Sequence, residues 1–149
     1  MLEQIVYGNR EAAVRIAVAV GRVPNPAVDA PISVHRDGEL LGGAVYSDFT
    51  GESVCVHVAG FTPNWLTRLF LFMVFDYPFT QMGVRRIFSQ MREDNLAALG
   101  FNKKLGFEPV AYIPGVFPGN VAMIITKLER EDCRWLALAD YFKREHGHG

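Results

Sequence analysis

Residues 86–107 read RIFSQMREDNLAALGFNKKLGF, and the reading of this stretch decides the architecture. Arg86, Phe88, Gln90 and Arg92 alternate with Ile87, Ser89 and Met91, which is the period-two pattern of a strand. Asp94 or Asn95 then suits a helix cap, because a short polar side chain there accepts from a backbone N–H left unpaired in the first turn. Ala98, Phe101 and Leu105 fall on one face of the helix, which is expected to be buried. Gly106 stands where a helix ends in a left-handed residue, and Phe107 is placed to fold back on Phe101.

The whole chain bounds what surrounds this unit. Its 149 residues suit one domain with a sizeable core. Half of them are apolar and 12% aromatic, a globular composition. Fifteen basic against sixteen acidic residues leave a formal charge of −1, which provides no dominant footprint for nucleic acid. Cys55 and Cys133 lie far apart without metal-like spacing, so a reducing, cytoplasmic setting and no metal site are expected. The first residues lack a signal-peptide pattern. The longest apolar run, Trp65 to Phe79, is broken by Arg68, Asp76 and Pro78 and is too short to span a membrane.

Towards the amino end, Gln4 to Tyr7 reads as a strand. Gly8-Asn9 then turns and caps a helix from Arg10 to Val20, with Ala13, Ile16, Ala17 and Val20 on its buried face. Three prolines in RVPNPAVDAP (22–31) predict an ordered loop. Ile32–His35 and Glu39–Asp48 form a hairpin around Asp37-Gly38, and Gly42-Gly43 inside it predicts a bulge or a close backbone approach. In Ser53 to Ala59, Val54, Val56 and Val58 make an aliphatic face, while Cys55 and His57 occupy the other. His57 is either a ligand-facing group or a hydrogen-bonded histidine of a half-buried sheet. Thr62 as cap and Pro63 as first residue predict a helix from about Pro63 to Tyr77. Its nearly uniform apolar surface calls for cover all round, part of which a second copy of the chain, in a homodimer, could supply. Towards the carboxyl end, Glu108–Ile113 and Asn120–Leu128 read as two strands joined through Pro114-Gly115 and Pro118-Gly119. A helical tail over 130–149 closes with HGHG, too short to read as a metal site.

Asn95, Ala97, Ala98 and Lys104-Leu105-Gly106-Phe107 resemble the N..A......KLGF signature of the GNAT superfamily of acyl-CoA-dependent N-acyltransferases. The similarity is nearest to the branch that acetylates ribosomal-protein N-termini. DGELLGG (37–43) is similar to the hairpin of strands two and three in those enzymes. FDYPFTQMGVRRI (75–87) and EREDCRWL (129–136) resemble small GNAT-like proteins of phages and prophages. The resemblance covers residues 3 to about 128 of a single domain, 1–149. It implies an α/β (α+β) fold of three layers, a twisted, mixed sheet of six or seven strands with helices on both faces, and strands four and five splayed apart.

The resemblance also implies a function, transfer of an acetyl group from acetyl-CoA to a primary amine on a protein N-terminus, a lysine or a small molecule. Pantetheine would pair with backbone near Val58, Ala59 and Gly60 and meet Asn95. The phosphates would sit at the helix start near Thr62, Trp65, Leu66, Thr67 and Arg68, where free N–H groups favour an anion. Glu52 or His57 would serve as base, and the 22–31 loop would wall the acceptor side. Two departures stand out. No glycine follows Gly60 in the phosphate loop, and Asn102 occupies the position of a tyrosine that protonates the departing thiolate. Asparagine donates a hydrogen bond but is no general acid. These departures keep open a catalytically silent binding protein on the same fold. A nucleobase-modifying enzyme is a third reading, which the near-neutral charge disfavours.

Overall fold

The computed structural model describes residues 3–146, with side chains as far as Phe142. Seven strands form one mixed sheet: β1 (Gln4–Tyr7), β2 (Ala30–Arg36), β3 (Glu39–Ser47), β4 (Ser53–Gly60), β5 (Arg86–Arg92), β6 (Glu108–Phe117) and β7 (Val121–Glu129). Their spatial order is β1-β2-β3-β4-β5-β7-β6. Every pairing is antiparallel except β4 with β5, which is parallel. Four α-helices accompany them: α1 (Arg10–Ala19), α2 (Arg68–Asp76), α3 (Leu96–Leu105) and α4 (Leu138–His146).

Alternation along the strands sends side chains to two separate cores. On one face Ala12, Ala13 and Ile16 of α1 meet Leu40 and Val45. On the other, Phe70, Val74 and Phe75 of α2 join Ile32, Val34, Tyr46, Val54, Ile87 and Leu128. The three layers expected from the sequence are present. Asp37 and Gly38 both take left-handed φ, +52° and +80°, as a two-residue hairpin turn requires.

The helix after β4 starts later than the sequence predicts. Its cap is Thr67, whose Oγ1 accepts from the Phe70 N–H at 3.1 Å. Thr62-Pro63-Asn64-Trp65 forms a turn instead, with proline at its second position and Asn64 at φ +59° in the third, the residues that a turn with a left-handed third position favours. A π-helical turn, Tyr77–Gln81, carries the chain past Pro78.

That turn swings Trp65 back over the sheet. Gly42 and Gly60 face one another across β3 and β4, and the indole lies on this bare floor. A Cβ at Gly42 would stand 2.3 Å from the ring, and one at Gly60 would stand 1.8 Å from Nε1. The predicted close approach is therefore real. A bulge adjoins it, since Val34 pairs Gly42 but His35 pairs Leu40. Gly42→Ala is expected to cost about 1–3 kcal/mol through overpacking, measured by urea unfolding. In a Trp65→Ala background the same substitution should cost almost nothing; equal costs in both backgrounds would contradict the contact.

Three further differences follow from packing. The buried side chains of α3 are Asn102 and Leu105, whereas Phe101 is 37% exposed. Phe107 meets Phe75, with ring centroids 6.2 Å apart, rather than folding onto Phe101. Pro114-Gly115 does not end β6, which runs on to Phe117 through an irregular register. The apolar surface of α2 finds much of its cover within this chain. Phe70 and Phe75 are buried, Trp135 stacks on Phe75, and Phe142 packs on Phe72. Trp135 sits in the second of two 3₁₀ turns, Arg130–Asp132 and Arg134–Ala137, that lead into α4.

A candidate active-site cleft between splayed strands

β4 and β5 pair only at Ser53–Arg86, Val54–Ile87 and Cys55–Phe88. Beyond Cys55 they diverge, and a cleft of about 690 Å³ opens between them. Its size falls within the range of small-molecule sites. Val56 to Gly60 form one wall and Ser89 to Arg92 the other. Asn95, the cap of α3, Ala98, Phe101 and Asn102 within it, and Val74 and Phe75 of α2 also line it.

The divergence leaves backbone groups without strand partners. The Glu52 carbonyl accepts from the Arg85 and Arg86 N–H groups, and the Phe61 N–H donates to Leu41 O on the other side. Strand alternation between these two points turns the N–H and C=O of Val56, Val58 and Gly60 towards the opening. An extended amide-bearing ligand is the natural partner for such an edge.

The predicted residues divide sharply by location. His57, Val58, Ala59, Gly60, Asn95 and Asn102 all line the cleft. Glu52 does not. It lies at the closed end of β4, where its largely exposed carboxylate faces Arg85 at 3.5 Å, outside the cleft lining. Thr62 belongs to the turn before α2. Trp65 and Leu66 pack against the core, and Thr67 is occupied as the cap. Arg68 opens α2 with its guanidinium 5.6 Å from the Tyr141 ring.

His57 Nε2 lies 3.0 Å from Ser47 Oγ, and Ser47 donates to Asp48 Oδ2 at 3.0 Å. Burial, aided by the Arg22 guanidinium, holds the His57 pKa down at about 4 against the pull of Asp29 and Asp48. At neutral pH the imidazole is therefore uncharged. Arg22 and Asp29 come from the proline-rich segment after α1, paired at 2.9 Å. Asp29 Oδ2 also accepts from the Asn25 N–H, while Oδ1 is buried without a partner. Burial pushes the Asp29 carboxyl up, but the Arg22 and Asn25 hydrogen bonds outweigh it and keep the pKa below its ordinary value.

Asn102 is fixed by the Thr126 hydroxyl, which donates to its Oδ1 at 2.7 Å. With the oxygen engaged, the amide N–H groups remain as donors for the cleft. Asn95 is held similarly, Oδ1 accepting from the Ala98 N–H at 3.1 Å. Gln90, Arg92 and Phe101 are cleft residues that motif reading passed over, because none stands at a signature position. The period-two reading of β5 already put Gln90 and Arg92 on one side of that strand. Among the described residues no group of histidine, cysteine or carboxylate side chains gathers to hold a metal, and no helix is long and apolar enough to cross a membrane. The closing His-Gly-His-Gly lies outside the described side chains.

No protein-family model matches the chain, and no curated protein matches it in sequence. Solved structures do match in fold. The ribosomal-protein-S18-alanine N-acetyltransferase of Escherichia coli aligns with a TM-score of 0.65 at 18% identity, covering 86% of this chain and 94% of that one. The Salmonella typhimurium protein yncA, solved with its cofactor acetyl-CoA, aligns at 0.64 and 15% identity, covering 85% and 93%. A chimera of the spermidine N-acetyltransferase SpeG from Vibrio cholerae and hSSAT aligns at 0.68 and 12%, covering 91% and 99%. With its mixed seven-stranded sheet open between β4 and β5, the chain has the fold of the GNAT acetyltransferases.

Proposed function

We propose that this protein is an acyl-CoA-dependent N-acetyltransferase that moves an acetyl group from acetyl-CoA to a primary amine. The observation that carries the reading is the opening beyond Cys55, which sets unpaired strand backbone beside a cleft of about 690 Å³. The bound thioester supplies the acyl carbon and a sulfur leaving group. Backbone of Val58 and Gly60 pairs with the amides of the pantetheine arm, and the Asn95 amide adds a donor. The N–H groups of Arg68 and Leu69 at the start of α2 attract the phosphates, and the Arg68 guanidinium adds positive charge. This site lies several residues later than Thr62.

Chemistry then falls to groups already in the cleft. A backbone N–H near Val58 polarises the thioester carbonyl, as a preorganised donor does in a dry site. Neutral His57 takes a proton from the attacking amine. The Asn102 amide hydrogen-bonds the departing sulfur, which takes its proton from elsewhere because an amide does not release one. One observation favours the second reading, an acyl-CoA-binding protein without turnover: among the described residues no carboxylate lines the cleft.

Incubation with acetyl-CoA and separate pools of N-terminal peptides, lysine peptides and polyamines separates these readings. The expected result is an acetyl mass shift on one amine class together with free CoA thiol. Saturable acetyl-CoA binding with no shift in any pool would establish the silent reading instead.

A further inference from the structure

The proton acceptor of this site has a second tier, residues that neither line the cleft nor meet a substrate. Ser47 is the last residue of β3 and is 4% exposed. Its hydroxyl carries one proton and has two neighbours, Asp48 Oδ2 at 3.0 Å and His57 Nε2 at 3.0 Å. An ionised carboxylate only accepts, so the hydroxyl proton is directed to Asp48, the stronger, charge-assisted partner. The Ser47 oxygen is left as an acceptor, and His57 Nε2 must carry a hydrogen to meet it. The other ring nitrogen, Nδ1, is then unprotonated. Among the described residues it makes no hydrogen bond to protein and, unlike Asp29 Oδ1, it is not a sealed, unpartnered atom.

We infer that Ser47 and Asp48 are positioning residues, holding His57 as the Nε2–H tautomer with its Nδ1 lone pair free to take the proton of the acceptor amine. The inference rests on the acyl-transfer reading above. The step balances: the amine nitrogen bonds the acyl carbon, the carbon–sulfur bond breaks, and the amine proton passes to Nδ1. The thiolate takes one proton from solvent and the imidazolium returns one to solvent. The arrangement follows the general logic of a base oriented by a third group. Asp48 holds this place in a left-handed conformation, φ +56°, which a non-glycine residue adopts at some cost. Besides Asp48, the charged groups that act on the ring are Arg22 and Asp29 from the α1–β2 segment; Cys55 stands two residues before it on β4 and Arg92 lines the opposite wall of the cleft. Their own hydrogen bonds go elsewhere, and none of these groups bonds to Nε2.

Two measurements test the inference. Long-range proton–nitrogen NMR of the full-length protein at pH 7 reads the tautomer without any substrate. The expected spectrum shows His57 protonated at Nε2, with a shift towards mixed tautomers in Ser47→Ala and in Asp48→Gly. Asp48→Gly removes the carboxylate while suiting the left-handed backbone, so it guards against a variant that merely misfolds. Wild-type protein protonated at Nδ1, or variants with an unchanged tautomer, would overturn the inference. In the acetyl-transfer assay, Asp48→Gly is expected to lower kcat about 10-fold, a fraction of what a general base contributes, with KM for both substrates within about twofold. A shifted tautomer with unchanged kcat removes the positioning role but leaves acyl transfer standing. Wild-type protein that transfers to no amine removes both, whatever the tautomer.

Discussion

His57→Ala is expected to lower turnover about 100-fold while leaving the KM for acetyl-CoA nearly unchanged, the pattern for loss of a general base. With Glu52 at the closed end of β4, His57 is the one imidazole or carboxylate among the described residues that line the cleft. Its environment sets the pH behaviour. The folded pKa is about 4, below the ordinary 6.5, so the neutral base persists down to mildly acidic pH. Activity owed to this group should fall only as pH drops through about 4. Stability has a different window. An unfolded chain binds the His57 proton below pH 6.5 while the folded chain refuses it until about 4. The stabilisation is therefore complete above 6.5 and is lost as pH falls between those values, on the order of 1–3 kcal/mol. Denaturant titrations at pH 7 and pH 4.5 should show that loss in the wild type and a smaller one in His57→Ala. An equal loss in both proteins would place the linkage on other groups. Turnover within threefold of wild type, by contrast, would mean that the amine arrives already deprotonated from solvent.

Phe75→Ala carries the largest expected stability effect, about 3–5 kcal/mol. Phe75 is 1% exposed in the α2 core, with Phe107 at 6.2 Å and Trp135 stacked at 6.4 Å between centroids. One ring thus joins α2, the end of α3 and the carboxyl-terminal segment. Because Phe75 also lines the cleft, the vacated space would merge with the ligand site, and acetyl-CoA binding should weaken along with folding. Urea unfolding gives the first quantity and calorimetry the second. A loss below 1 kcal/mol would mean that the tail does not seat on α2 as described.

Residues 86–107 illustrate what was legible in sequence. β5, the Asn95 cap and the Gly106 stop at φ +105° all follow from local patterns, because backbone hydrogen bonding and conformational freedom act over a few residues. The partners of those residues were less legible. Phe107 chose Phe75 over Phe101, and Asn102 went inward to Thr126, since tertiary contacts across the sheet decide such choices. Thr62-Pro63 shows a local signal with two meanings. Threonine before proline suits a helix start, yet with Asn64 next it suits a turn equally, and burial of Trp65 against Gly42 and Gly60 favours the turn. In the cleft, His57 was legible from its face of β4, and Val58, Gly60 and Asn95 were expected there through the family resemblance. Ser47 and Asp48 were not, because only the β3–β4 register brings them to His57.

The most direct test of the central claim, that the β4–β5 opening receives an acyl-CoA, is calorimetric titration of acetyl-CoA into wild-type protein and Ala98→Trp. Ala98 lines the cleft from α3, and an indole there would fill it from the helix side. Saturable one-to-one binding in the wild type, lost in a variant whose thermal unfolding is unchanged, is the expected result. No heat at millimolar acetyl-CoA, or equal binding by a folded Ala98→Trp, would contradict it.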